Sequence, residues 1–324
     1  MNSKVPVISV HDIQLDPLYD RLRICGQLDI LKYWPTLDAT QKTVFLDQLR
    51  GLDLGRIVET QQIARAHHST ENPLTYAVPP EYVACSDLEL RRQARTEGEE
   101  FLRASCVGAL TVAGGQATRL GLKGPKGAFG VTPIKNKSLF EVFAQKIFAA
   151  QRRYNVTIPW VVMTSPINQE STRNFFVTHG FWGLREEDIF FMEQGQVPST
   201  NYEGKFLLEA PNQLALNPDG HGGVFRALHL SGVGAALKKR GIQLLSYFQV
   251  DNPLVEVIDP SFIGLHNHYA SEFSSKIVLK RSPHEKVGLF IKTKALHVIE
   301  YSDMPEEFKA LTDPDGSLRW RSAN

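Results

Sequence analysis

Gly114 and Gly115 close the apolar run "ALTVAGG", Arg119 follows on the same loop, and Lys126 sits in the "PKG" that comes next. Residues without side chains let a backbone approach a ligand closely and adopt positive φ. Consecutive amides in such a turn form an anion-binding nest, and a forked guanidinium with a compact ammonium adds fixed positive charge. This combination suits a polyphosphate, and the loop predicts a nucleoside triphosphate as its ligand. Rival phosphate loops are missing. No glycine is followed by Lys and then Ser or Thr, as a Walker A loop requires, and no G-x-G-x-x-G follows a strand-like run. "SGVGAAL" lacks the third glycine.

Such a loop needs a strand before it and a helix after it. "VGALTVA" reads as a buried strand, and Ser138 with Glu141 gives an S-x-x-E capping box at the start of the helix-like "SLFEVFAQKIFAAQRRY". "IPWVVMTS" and "GIQLLSYFQVD" read as further buried strands, with "ESTRNFFVTH" and "GGVFRALHLSGVGAALKKR" as helices between them. That alternation predicts an α/β fold, a doubly wound, mainly parallel sheet with right-handed crossovers. Ligands of such sheets sit beyond the carboxyl ends of the strands. Gly114 and Gly115 fall there, and so does Asp251 after "SYFQV", although Asp-Asn is also ordinary turn chemistry.

"SSKIVLKR", "EKVGLFIKT" and "LHVIEYSD" lack long intervening helices and predict a mixed or antiparallel extension of the sheet. Residues 12–100 read as mostly helical: Asp38 and Gln41 mark an N-cap, Val44, Phe45 and Leu49 an apolar stripe, and Gly51 an end. The expected organisation is an N-terminal helical segment over 1–102 and the α/β domain over 103–324, without internal repeats.

Bulk properties narrow the function. The 324 residues are 42% hydrophobic and 22% charged with a net charge of +1, which offers no basic field for nucleic acid. No apolar run approaches ~18 residues, so no membrane span is predicted. "MNSKVPVISVHDIQLDP" lacks the apolar region of a signal peptide. Cys25, Cys85 and Cys106 are odd in number and widely spaced, which predicts reduced structural thiols in a cytoplasmic protein.

"AGGQATRLG…PKG" resembles the nucleotide-binding loop of the eukaryotic-type UDP-sugar pyrophosphorylases, in which GGxGTRLG precedes PKG. The likeness continues in the family's order through "IPWVVMTSP", "ESTRNFF", "FFMEQGQVPS", "NPDGHGG", "YFQVDNPLVEVIDPSFIG" and "VIEYSD". It covers roughly residues 25–324 and is most similar to the UDP-N-acetylglucosamine branch. The resemblance implies a Rossmann-like nucleotidyltransferase. Such an enzyme takes UTP and a sugar 1-phosphate, foremost N-acetylglucosamine 1-phosphate, to a UDP-sugar and pyrophosphate with Mg²⁺. By the same likeness Gly114 and Gly115 hold the nucleotide, Arg119 and Lys126 face its phosphates, and Gln194 and Gly220 read the uracil edge. Asp251 takes the Mg²⁺ ion, while Glu300, Tyr301 and Asn324 fall where the family contacts the sugar.

Ala117 departs from the family by replacing the loop's usual glycine. His221 stands where the acetylglucosamine branch typically places asparagine; its GHG looks more like the glucose 1-phosphate and broad-specificity branches. A second metal carboxylate, a phosphate-binding lysine and a C-terminal β domain, all expected of the family, have no match, so the chain reads as one shortened at its C-terminus and inactive alone. The alternatives are a glucose-1-phosphate or broad-specificity enzyme, a noncatalytic nucleotide-sugar binding protein, and an unrelated phosphate-binding α/β enzyme such as a kinase.

Overall fold

The computed structural model describes residues 13, 16–59, 76–115 and 124–322. The chain divides into two compact units, Met1–Ser69 with Ser105–Val257, and Thr70–Ala104 with Ile258–Asn324.

In the first unit, α1 (Pro17–Ile24) begins where the Asp16 side chain accepts from Leu18 N, and α2 (Ala39–Arg50) begins at a full capping box. Gln41 N donates to Asp38 Oδ1 at 2.8 Å and Asp38 N donates to Gln41 Oε1 at 3.0 Å. The buried stripe of α2 is Phe45, Leu46 and Leu49. Val44 is 47% exposed, because successive helical residues turn by about 100° and the stripe runs through its neighbours.

Helix α3 (Leu88–Arg103) belongs to the second unit. The first unit resumes with β1 (Val107–Val112), α4 (Leu139–Tyr154), β2 (Trp160–Thr164), α5 (Gln169–Thr178) and β3 (Ile189–Glu193). Short strands β4 (Gln196–Pro198), β5 (Leu208–Ala210), β6 (Gln213–Leu214) and β7 (Leu216–Pro218) follow. Then come α6 (Gly223–Leu230), α7 (Val233–Lys239) and β8 (Leu244–Gln249).

Strands β3, β2, β1 and β8 lie side by side in that order, all parallel. Every residue of β2 and the first five of β1 are buried, as a parallel sheet covered on both faces requires. On one face, Phe143 of α4 meets Phe248 at 4.9 Å between ring centroids, and Phe140 meets Phe176 of α5 at 4.9 Å. On the other, Leu110, Val161, Met163 and Met192 pack on Val224 and Ala227 of α6 and Val233 and Leu237 of α7. This is the doubly wound α/β arrangement expected. The single helix expected over "GGVFRALHLSGVGAALKKR" is two, because Gly232 takes φ 74° and breaks the hydrogen-bond ladder.

In the second unit α3 crosses α8 (Pro260–His268) at backbone distance: a Cβ on Gly264 would lie 1.6 Å from Ala94 O. Strands β9 (Leu289–Lys292), β10 (Leu296–Ile299) and β11 (Arg321–Ser322) form an antiparallel sheet in the order β10-β9-β11. The expected extension of the parallel sheet is therefore corrected: these strands make a sheet of their own. The Thr293 N to Ala295 O turn folds β10 straight back onto β9, and "SSKIVLKR" supplies only the isolated bridge Leu279–Arg321. Among the described residues no helix is long and apolar enough to cross a membrane.

Candidate active site

Five turns of the first unit converge beyond the carboxyl ends of β1, β3 and β8. Gly114 and Gly115 leave β1, Gln194 leaves β3, and Asp251 follows β8. Lys126 and the segment Gly220–His221 complete the lining of one cleft. Of the sequence-predicted site residues, Gly114, Gly115, Lys126, Gln194, Gly220, His221 and Asp251 are thus brought together. Arg119 and Asn324, with Ala117, lie outside the described residues. Glu300 and Tyr301 are exposed residues of the second unit, in the turn after β10, where Glu300 O accepts from Asp303 N at 3.0 Å.

The glycine turn is held from behind by Asn168, which is 1% exposed. Its Nδ2 donates to Ala113 O at 2.9 Å and to Gly115 O at 3.3 Å. Its Oδ1 accepts from Ser165 N at 2.9 Å and Ser165 Oγ at 3.1 Å. One buried amide therefore sets the ends of β1 and β2, and losing it would orphan buried groups at about 1–3 kcal/mol each. Gln194 forms the adjoining wall: its Nε2 donates to Gly220 O at 3.1 Å, and its Oε1 would lie 2.8 Å from a Cβ on Gly114. Only glycine fits at 114 without moving Gln194. A similar constraint acts at Gly195, where a Cβ would lie 2.3 Å from Asp219 Oδ2.

Lys126 N donates to Gly115 O at 3.2 Å, and its Nζ reaches Asp251 Oδ2 at 2.9 Å. The two side chains are 30% and 50% exposed, so solvent screens the pair, which is worth about 0–1 kcal/mol. It is easily exchanged for stronger partners. After Lys126 the chain enters α4, where Ser138 Oγ accepts from Glu141 N at 3.1 Å. Glu141 does not complete the box; its carboxylate accepts from Gln145 Nε2 at 3.0 Å instead.

From α4, the half-buried Lys146 reaches the loop after Asp251. Its Nζ donates to Pro253 O at 2.6 Å and Val255 O at 2.7 Å. Burial lowers its pKa, partly offset by Glu256. Lys146 thereby ties the Asp251 loop to the helix that follows the Lys126 turn. On β8, the Tyr247 hydroxyl is hydrogen-bonded to His221 Nδ1, and burial pushes the Tyr247 pKa up to about 12.

Sequence reading missed Asn168, Lys146 and Tyr247. Asn168 looks like a turn residue in "SPINQES", Lys146 like a solvated lysine on a helix, and Tyr247 like a strand filler. The one usable signal is spacing: Tyr247 and Gln249 alternate onto one side of a strand that leads to Asp251.

Asp251 is the only acidic residue among the described lining residues, and among the described residues no three of His, Cys, Asp and Glu come together as a metal cage. A magnesium ion is commonly held by one or two carboxylates, with substrate phosphates and water completing its shell. A half-exposed carboxylate at the open side of a phosphate-sized cleft fits that donor set.

Residues 59–315 match the family described as UTP–glucose-1-phosphate uridylyltransferase. The chain is 35% identical over 327 residues to UDP-N-acetylglucosamine diphosphorylase 1 of Arabidopsis thaliana, covering 95% of this chain and 64% of that protein. It is 34% identical over 322 residues to a probable UDP-N-acetylglucosamine pyrophosphorylase of Schizosaccharomyces pombe, covering 95% and 65%. Among solved structures, the uridine diphosphate N-acetylglucosamine pyrophosphorylase of Trypanosoma brucei in complex with inhibitor superimposes with a TM-score of 0.79 at 26% identity, over 94% of this chain and 64% of that one. The chain thus spans somewhat less than two thirds of the length of these relatives. With a match over most of its length, it belongs to the UTP–glucose-1-phosphate uridylyltransferase family.

Proposed function

We propose that the chain carries the nucleotide site of a UTP:sugar-1-phosphate uridylyltransferase, with N-acetylglucosamine 1-phosphate as the sugar substrate. The observation that carries this reading is the convergence of Gly114, Gly115, Lys126, Gln194 and Asp251, far apart in sequence, on one cleft at the carboxyl edge of the parallel sheet. The names of the relatives support the sugar.

In the proposed reaction an oxygen of the sugar phosphate attacks the α-phosphorus of UTP in line, and pyrophosphate leaves. No covalent protein intermediate is needed. Two polyanions must be brought together, so the protein's contribution is charge neutralisation and alignment. The Gly114–Gly115 amides would face the phosphates at backbone distance. Lys126 would exchange Asp251 for the α-phosphate and the departing pyrophosphate, with Arg119 as a second cation on the same loop. Gln194 presents an amide with both donor and acceptor to the uracil edge beside Gly220. Asp251 would hold the Mg²⁺ ion, which when bound neutralises phosphate charge and polarises the phosphoryl group. Sugar contacts by His221, Glu300, Tyr301 and Asn324 are part of the proposal and rest on likeness to the family. So is a cytoplasmic setting, supported by Cys25, Cys85 and Cys106, none of which is in a disulfide among the described residues.

His221 favours glucose 1-phosphate as a second reading. Both readings meet one assay, made on the chain extended to the length of its relatives: pyrophosphate release from UTP and Mg²⁺ with glucose, galactose, N-acetylglucosamine and N-acetylgalactosamine 1-phosphates. Preference for N-acetylglucosamine 1-phosphate is expected. Preference for glucose 1-phosphate would install the second reading, and turnover with none would remove both.

A further inference from the structure

Tyr247 has no part in the reaction as just described, yet its contact with His221 bridges two elements of the cleft. Its strand, β8, ends at Gln249, two residues before Asp251, and alternation puts Tyr247 and Gln249 on the same side of the strand. Register places Tyr247 beside Leu110 of β1, on the sheet face covered by α6 and α7. His221 stands two residues before α6 and lines the cleft. The ring of Tyr247 meets that of His221 edge-on, with centroids 6.2 Å apart and planes at 77°, and its hydroxyl is hydrogen-bonded to Nδ1.

A neutral imidazole has one N–H and one bare nitrogen, and the partner of one nitrogen decides the state of the other. Burial keeps the Tyr247 phenol protonated until about pH 12, so it has an O–H to give throughout the neutral range. When that O–H donates to Nδ1, the ring proton is left on Nε2. The imidazole is then fixed both in direction and as a single donor.

Resting on the proposed uridylyltransferase reading, we propose that Tyr247 is a positioning residue for sugar recognition: it holds His221 in the Nε2–H tautomer, so that the ring offers a donor to an oxygen of the sugar itself. The nucleotide moiety is met by other groups, at Gly114, Gly115 and Gln194. The pair therefore acts on a UDP-sugar and leaves UDP alone.

The test is calorimetric binding of UDP and of UDP-N-acetylglucosamine to the 324-residue chain and to Tyr247→Phe, His221→Gln and the double variant, with thermal melts of each. Losing one hydrogen bond to an orienting partner weakens binding by up to about tenfold. Tyr247→Phe should weaken UDP-N-acetylglucosamine by about that factor, leave UDP within about twofold, and add nothing in the His221→Gln background. The ring ¹⁵N shifts of His221 should report Nε2–H in the parent and a mixture in Tyr247→Phe. Equal weakening of UDP and UDP-N-acetylglucosamine, an undiminished effect in the His221→Gln background, or an Nδ1–H tautomer in the parent would each overturn the proposal. A parent chain that binds neither ligand would instead remove the uridylyltransferase reading beneath it.

Discussion

The two walls of the cleft are built on different physical terms. The wall at Gly114–Gly115 is neutral and braced from behind: buried Asn168 makes four hydrogen bonds to the ends of β1 and β2, and a side chain at 114 would have to displace Gln194 Oε1. The wall at Asp251 is charged and open: a half-exposed carboxylate is paired across the cleft with Lys126, on a loop held by the ammonium of Lys146. A fixed neutral wall suits recognition by shape and backbone amides. An exchangeable ion pair suits groups that must change partners when phosphates arrive.

The largest effect should come from the exchangeable side. Lys126→Met is expected to lower turnover by about 10²–10³-fold, or 2.7–4 kcal/mol, while the melting temperature barely moves, because an exposed ion pair adds little to stability. Pyrophosphate-release kinetics, on the chain extended to the length of its relatives, and calorimetric melting check both halves. A large loss of stability would show that the pair is structural.

Asn168→Ala should do the reverse. Orphaning buried donors and acceptors is expected to cost about 1–3 kcal/mol of stability per group, visible as a lower urea midpoint at unchanged slope. An unchanged midpoint would mean that the neutral wall is not braced by this residue.

Lys146→Met should weaken UTP binding about tenfold when Mg²⁺ is present, through a displaced Asp251, with little change in EDTA. Lys146→Arg should recover part of the loss. Equal weakening with and without the ion would contradict a role in placing Asp251.

The smallest effect is at alkaline pH. Tyr247 keeps its proton in the folded chain to about pH 12 but loses it near pH 10 when unfolded. Its contribution to stability is therefore full below pH 10 and is lost as pH rises through 12. Between those values Tyr247→Phe should lose less stability than the parent in parallel urea titrations; identical slopes would show that the phenol is not held protonated.

Much of this was legible in the sequence. The parallel sheet announced itself because β1 and β2 are buried on both faces and so read as nearly continuous apolar runs. The start of α4 was marked by Ser138. The break at Gly232 was not legible, since apolar residues continue at helical spacing on both sides of it. Nor was the separate antiparallel sheet, because the pairing of β11 with β9 links residues some thirty apart. At the site, residues that meet a ligand by type and spacing were found; those that position them were not. Asn168, Lys146 and Tyr247 act through partners distant in sequence, and nothing in their immediate neighbours shows which carbonyls or ring nitrogen they meet.

Gly114→Ala tests the centre of the account most directly. Calorimetric titration of UTP, with Mg²⁺, into the parent and into this variant should show binding to the parent and about tenfold weaker binding to the variant at unchanged secondary structure, because the added methyl, 2.8 Å from Gln194 Oε1, would push aside the amide proposed to meet the uracil edge. Equal affinity in the two chains would contradict a triphosphate cradle at this turn.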